Sequence, residues 1–401
     1  MGFFKKNGYL PFSEPEIGEE ELNAVKKVFA RNWLTSGPEV KEFEKEFSEI
    51  VNSKFSVAVN SATAAIHISL KALKIGKGDD VISVPFTFVS TINTIVEAGA
   101  FPVLVDIDEK DYNISPEKII EKIEQEYEFS EEYPVNRQTG NKLKAIIPVH
   151  YAGQPADMDE INKIAKKYNL KIIEDAAHAI GSLYKGKKIG NSKNLVAFSF
   201  YSNKNITTGG EGGIVSSNSK EYESLLRLFS LHGIDKEAYS RLRQEGLPFY
   251  DVKVLGFKYN MTDIAAAIGR EQLKRIEKIN KKRRLIAELY IQYLSEVEEI
   301  VIKPVSKDKK SSYHLFPVEI KNYKRDSLIK ELLSKKIQTS VHFIPVHLFS
   351  YYKKYHPYKE GDFPVSETIF KRILSLPIFP AMDEDDVKTV VKAIKDILSK
   401  K

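Results

Sequence analysis

Between Ser56 and Ser216 one pattern repeats along the chain: a short apolar run, then a longer stretch of helical character, then another apolar run. The runs Ser56–Asn60, Asp80–Val84, Val103–Asp106, Ala145–Val149, Lys171–Glu174, Leu195–Phe200 and Gly213–Ser216 read as strands. Strands that alternate with helices predict an α/β fold, a mostly parallel sheet covered by helices. In such sheets ligands and chemistry gather beyond the strand ends, so polar residues just past each run are the first to weigh.

Two of those ends stand out. Asp175 closes the apolar run in Ile172-Ile173-Glu174-Asp175-Ala176-Ala177-His178, and 29 residues later Lys204 follows the run Phe198-Ser199-Phe200-Tyr201-Ser202-Asn203. Alone, the acid reads as a helix cap and the lysine as one of 61 basic residues. Placed on neighbouring strand ends, they form the pair expected of a pyridoxal phosphate (PLP) enzyme. The lysine holds the cofactor as a Schiff base, and the acid keeps the pyridine nitrogen protonated.

The strings around the pair carry more weight than the pair itself. Ile173-Glu174-Asp175-Ala176-Ala177-His178-Ala179-Ile180-Gly181 and Phe198-Ser199-Phe200-Tyr201-Ser202-Asn203-Lys204-Asn205 resemble the two signature segments of the DegT/DnrJ/StrS family of sugar aminotransferases. Further matches run in order through Trp33-Leu34-Thr35-Ser36-Gly37-Pro38, Asn60-Ser61-Ala62-Thr63-Ala64-Ala65, Pro85-Phe86-Thr87-Phe88-Val89, Tyr151-Ala152-Gly153-Gln154-Pro155-Ala156-Asp157-Met158, Gly256-Phe257-Lys258-Tyr259-Asn260-Met261-Thr262-Asp263 and Val341-His342-Phe343-Ile344-Pro345-Val346-His347. The resemblance implies a fold-type I PLP-dependent transferase with a smaller C-terminal α+β domain. It implies an enzyme that takes an amino group from glutamate and passes it to a nucleotide-linked keto-deoxysugar. Likeness to 4-aminoarabinose-type transaminases tilts the acceptor towards a UDP-linked 4-keto sugar.

Roles for particular residues follow from the same resemblance. After the strand ending at Val59, a turn opens a segment with Ile66, Leu70 and Leu73 at helical spacing, and such a turn offers free N–H groups to a phosphate. Ala62 and Thr63 match the family's phosphate cradle, with alanine standing where the family usually has glycine. Ser199 matches a hydroxyl that also reaches the phosphate. Phe88 matches the aromatic stacked on the pyridine, and His178 a position near the ring or its phenolic oxygen, although a structural histidine would also fit. Asn260, and after it Lys258, is expected to reach the cofactor phosphate of a neighbouring subunit, since the family builds its sites across a homodimer. There the family pattern Asn-Tyr-Arg is replaced by Lys258-Tyr259-Asn260. Thr35 and His342 are candidate sugar contacts. In a sugar 3-dehydratase of the same family a histidine replaces the lysine, so Lys204 speaks for amino transfer. A PLP-binding sensor without turnover is the remaining alternative, although every group needed for chemistry is present.

Composition excludes several other classes. No cysteine occurs in the 401 residues, which removes disulfides, thiolate nucleophiles and cysteine metal sites together. No apolar run approaches the roughly 20 residues needed to span a bilayer. Met1–Gly8 lacks the pattern of a secretory leader, so a cytoplasmic protein without membrane partners is expected. A net charge of +6 is spread over a chain rich in acids as well, and the run Lys281-Lys282-Arg283-Arg284 with Lys278 reads as the solvated face of a helix rather than a nucleic-acid patch. The run Gly209-Gly210-Glu211-Gly212-Gly213 leads into an apolar, strand-like segment, whereas a dinucleotide fingerprint must open a helix. His342 and His347 lack an acidic partner nearby in sequence, so no metal site is expected.

Helices are predicted over 19–30, 39–50, Met261–Glu296 and a tail from Asp383, with strands near Ile300–Lys303 and Tyr313–Ile320. Glu124–Lys144 reads as an insertion or long loop. The organisation expected is a large PLP-binding domain, residues 1–245, and a small domain, residues 246–401, with the N-terminal segment packing on the small one.

Overall fold

The computed structural model describes residues 8–130, 132–235 and 250–399. The expected boundary at 245/246 and the Met1–Asn7 segment lie outside these residues. Two helices, α1 (Glu19–Ala30) and α2 (Pro38–Val51), lead into β1 (Phe55–Val59) and α3 (Ala62–Ala72). Then come β2 (Asp79–Ser83), α4 (Val89–Glu97), β3 (Phe101–Leu104), α5 (Pro116–Glu126), β4 (Tyr127–Phe129), β5 (Pro134–Asn136) and β6 (Lys142–Ile146). After α6 (Met158–Lys167) follow β7 (Lys171–Asp175), β8 (Leu183–Tyr184), β9 (Lys187–Lys188), β10 (Leu195–Ser199), β11 (Gly213–Ser217) and α7 (Lys220–Ser230). A long helix, α8 (Asp263–Leu294), precedes β12 (Ile300–Val301), β13 (Lys309–Lys310), β14 (Phe316–Ile320), α9 (Arg325–Ser334), α10 (Ser350–Tyr355), α11 (Pro364–Arg372), β15 (Ile373–Leu376) and α12 (Glu384–Leu398).

The main sheet has the order β1-β11-β10-β7-β6-β2-β3, with the β4/β5 hairpin attached beside β6. Neighbours from β10 through β3 are parallel, while β11 runs antiparallel to both β1 and β10. A parallel partner would need a crossover helix, and the connection from Ser199 to Gly213 contains none. Alternate residues of one strand feed two separate cores: Val196 and Phe198 point into one, Leu195 and Ala197 into the other. Burial on both faces explains why these strands read as continuous apolar runs.

Glu124–Lys144, expected as a loop, instead ends α5, forms the β4/β5 hairpin and begins β6. Its hairpin strands are only three residues long, too short for an alternation to show, and β4 exposes both Glu128 and Phe129. A third core gathers Leu10, the C-terminal half of α8, β14, β15, α9 and α12. Leu10 is joined to Lys336 and Gln338 by backbone hydrogen bonds, so the N-terminal segment packs on this C-terminal unit. The basic run on α8 needs one correction. Lys278, Lys281 and Lys282 are exposed, but Arg283 is 2% exposed and donates to the carbonyls of Tyr313, His314 and Ile378. Its position three and seven residues from Asn280 and Ile276 puts it on the helix's inner stripe.

Candidate active site

Strands β7 and β10 are parallel neighbours, with Asp175 paired to Ala197 in register, so the acid and the Lys204 turn emerge from the same edge of the sheet. Asp175 is 5% exposed. Its Oδ2 accepts the Thr91 hydroxyl at 2.7 Å and its Oδ1 the Ala177 N–H at 3.1 Å. Each oxygen keeps a second lone pair for another donor. Thr91 lies on α4, and its hydroxyl oxygen is 3.0 Å from that of Thr87. Lys204 sits in a turn closed by its N–H on the Tyr201 carbonyl, 2.8 Å. It is partly buried, and withdrawal from water pulls its amine from the ordinary 10.5 down to about 8, against the opposing pull of the Asp175 charge.

Around this pair the structure gathers histidines from three segments. His178 follows Asp175 by one turn, His314 comes from the stretch before β14, and His342 from the stretch after α9. The His178 and His314 rings are 4.3 Å apart. Burial first, and then the Lys204 charge, depress His342 to about 3, and His178 and His314 are pushed well below the usual range. All three rings are therefore neutral at physiological pH. Phe343 stacks on His178 and faces Phe88, whose ring is 60% exposed at the N-cap of α4.

The start of α3 lies across the strand ends from these groups. Ser61 caps the helix by accepting the Ala64 N–H at 3.1 Å, and among the described residues no protein acceptor takes the N–H groups of Ala62 and Thr63. A Cβ at Gly213 would come within 2.5 Å of the Ala62 nitrogen and strike the Ser61 carbonyl carbon, so only glycine lets β11 approach this turn. Ser199, at the end of β10, accepts the Tyr201 N–H at 3.3 Å and retains its own proton to donate.

The other expected residues are tied to surrounding segments. Asn260 pairs with Val59 in a backbone bridge and donates to the Ser36 hydroxyl at 2.8 Å, which places it beside the α3 turn of its own chain. Lys258 is exposed and bridges to Leu231. Thr35 is exposed, its carbonyl 3.3 Å from the Asp263 nitrogen, so its geometric tie is to the start of α8. His342 meets the Ser375 hydroxyl at 3.0 Å, whereas His347 is paired with Glu367 in a separate buried contact. No group of three His, Asp or Glu converges on a metal position among the described residues.

Thr91, His314 and Phe343 were not singled out from sequence. Each is brought in from a distant segment, Thr91 from 84 positions before Asp175, and only the Phe343 position lay inside a recognised string.

The family model for the DegT/DnrJ/EryC1/StrS aminotransferases matches residues 15–395. The chain belongs to that family. Members are PLP-dependent sugar aminotransferases, and this chain is an enzyme of that class. It is 42% identical to the spore coat polysaccharide biosynthesis protein SpsC of Bacillus subtilis over 399 residues, 98% of each chain. It is 45% identical over 398 residues to the uncharacterized protein MJ1066 of Methanocaldococcus jannaschii, covering 98% of this chain and 99% of that one. Among solved structures, Spr1654 of Streptococcus pneumoniae in its PMP form superimposes with a TM-score of 0.88 at 29% identity, covering 98% and 99% of the two chains. That protein has also been solved in a PLP form. No helix among the described residues of this family member is long and apolar enough to cross a membrane.

Proposed function

We propose that this aminotransferase carries an amino group from glutamate, by way of pyridoxal phosphate bound at Lys204, to the ketone of a nucleotide-linked keto-deoxysugar, with a UDP-linked 4-keto sugar as the first acceptor to try. The observation that carries the reading is Lys204 itself: a half-buried amine depressed to about 8, one strand over from a carboxylate braced by Thr91. The residues present fit the cofactor. The α3 turn offers unpaired N–H groups, Gly213 leaves the turn uncrowded, and Phe88 presents an exposed flat face. The Nδ1 of His178 is buried without a partner among the described residues.

When bound, the cofactor supplies an aldehyde that takes up amines and a ring that accepts electrons. Ala62, Thr63 and Ser199 would hold its phosphate at the positive end of α3. A carboxylate at Asp175 would keep the ring nitrogen protonated, and Phe88 with Phe343 and His178 would wall the ring from water. Lys204 then has two tasks, to hold the cofactor and, once displaced, to shuttle the donor's α-proton on Nζ. A pKa near 8 leaves about a tenth of the amine unprotonated at pH 7, roughly 300-fold more than at 10.5. Thr35 and His342 at the sugar, with Asn260 beside the α3 turn, complete the proposed site of a cytoplasmic, homodimeric enzyme.

Adding glutamate to the PLP-loaded protein should bleach the cofactor–lysine absorbance band, and one of a panel of UDP-, dTDP- and GDP-linked keto sugars should restore it with release of an amino sugar. A band indifferent to every amine would make the protein a sensor. Loss of a sugar hydroxyl without gain of nitrogen would make it a dehydratase.

A further inference from the structure

Asn205 follows Lys204 directly, and its amide is held on every side. Its Nδ2 donates to the Asn280 Oδ1 at 2.7 Å and to the Ser312 carbonyl at 3.0 Å, and its Oδ1 is 3.2 Å from the His314 Nδ1. Asn280 in turn donates to the Ile180 carbonyl at 2.9 Å. A carbonyl can only accept, so Ile180 fixes which end of the Asn280 amide is nitrogen, and Ser312 fixes Asn205 in the same way. The Asn205 oxygen must therefore face His314, and His314 must carry its proton on Nδ1. All of these side chains are buried, at 6% exposure or less.

This network reaches both halves of the site. Ile180 ends the turn that begins at Asp175 and His178, Asn205 is in the Lys204 turn, and His314 lies against the His178 ring. Ser312, between them, donates to the His178 carbonyl at 2.7 Å. Gly181 has no Cβ because one there would collide with the Asn280 amide. One helical turn along α8, Arg283 holds the carbonyls of Tyr313 and His314. Burial draws that guanidinium down to about 10, and no carboxylate among the described residues bonds it, so its contribution is to fix these backbone groups.

We infer that Asn280 and His314 are positioning residues for amino transfer, acting through Asn205 to hold Lys204 in place beside the His178 turn. The inference rests on the reading of Lys204 as the cofactor-bearing lysine. Neither residue touches the reacting atoms through these bonds. What they set is the orientation of one amide, and with it the backbone from which the lysine side chain extends. A turn whose amide is hydrogen-bonded at both ends in a buried network has one geometry, whereas an unpaired amide there would reorient or admit water.

The test compares His314→Leu, His314→Asn and Asn280→Ala with wild type. An asparagine side chain can place an N–H where the imidazole Nδ1–H stood, and leucine cannot. Two quantities are measured: the rate at which apoprotein forms the cofactor–lysine absorbance band, and the single-turnover rate with glutamate over a range of concentrations. His314→Leu and Asn280→Ala should lower both rates about 10- to 100-fold, as expected for a buried amide left unpaired, with the half-saturating glutamate concentration changed less than about 3-fold. His314→Asn should recover both rates to within about 3-fold of wild type.

Wild-type rates in all three variants would overturn the inference, as would equal loss in His314→Asn and His314→Leu, which would make the imidazole itself the needed group. If a histidine variant fails to fold, Asn280→Ala alone decides, because unchanged rates there contradict the proposal. Failure of the wild-type protein to form the band would instead defeat the assignment of Lys204, so the two readings fail separately.

Discussion

Replacing Lys204 with methionine should abolish amino transfer and at the same time stabilise the cofactor-free protein. Methionine matches the lysine stem in length without its charge. In the unfolded chain the amine titrates near 10.5, and in the folded chain near 8. Below pH 8 the amine is protonated in both states, and the full penalty of holding a charge away from water is present. Between pH 8 and 10.5 the unfolded chain binds a proton that the folded chain has released, so stability rises with pH, and above that range the penalty is gone. The difference in pKa corresponds to about 3 kcal/mol at pH 7, and solvent reaching this partly exposed side chain reduces it to about 1–2 kcal/mol. Urea unfolding of wild type and Lys204→Met, both stripped of cofactor and followed by fluorescence of the single tryptophan, Trp33, reads the effect directly. The variant should have the higher midpoint at pH 7, and the gap should narrow by pH 10 as wild type gains stability. Equal midpoints at both pH values would refute the claim that folding desolvates this amine.

Three other perturbations separate the parts of the site. Gly213→Ala drives a methyl group into the backbone at Ser61 and Ala62, which cannot yield as a side chain would; cofactor affinity measured by absorbance titration should fall about 10-fold or more, and unchanged affinity would remove the α3 turn from the site. Thr91→Val leaves Asp175 without its side-chain donor, a charge-assisted bond of about 1.5–3 kcal/mol, so kcat should fall roughly 10- to 100-fold with cofactor still bound. A kcat within twofold of wild type would show that Asp175 needs no brace. Phe88→Ala removes an exposed ring; the holoenzyme should lose cofactor faster on dilution while its unfolding midpoint moves by less than about 0.5 kcal/mol, and a large stability loss would return Phe88 to a structural role.

The strands and the juxtaposition of Asp175 with the Lys204 turn were legible because both are local signals. Apolar runs mark β7 and β10, and parallel pairing of adjacent strands then brings Asp175 and Lys204 to one edge without further information. The direction of β11 was not legible from its composition, because what makes it antiparallel is the helix-free connection after Lys204. The shortness of its three-residue strands hid the β4/β5 hairpin, and a basic neighbourhood hid the inward-facing Arg283. Asn280 and His314 were out of reach for a different reason. Their partners lie 100 and 109 positions away, and no periodicity or short motif records which distant carbonyl will face a given amide.

The central claim, that Lys204 is the residue bonded to the cofactor, is tested most directly by borohydride reduction of the PLP-loaded protein followed by peptide mass analysis. The account predicts one stoichiometric phosphopyridoxyl adduct, on the peptide containing Asn203-Lys204-Asn205, that disappears when glutamate is added before the reductant. An adduct on another lysine, or none despite a cofactor absorbance band, would contradict it.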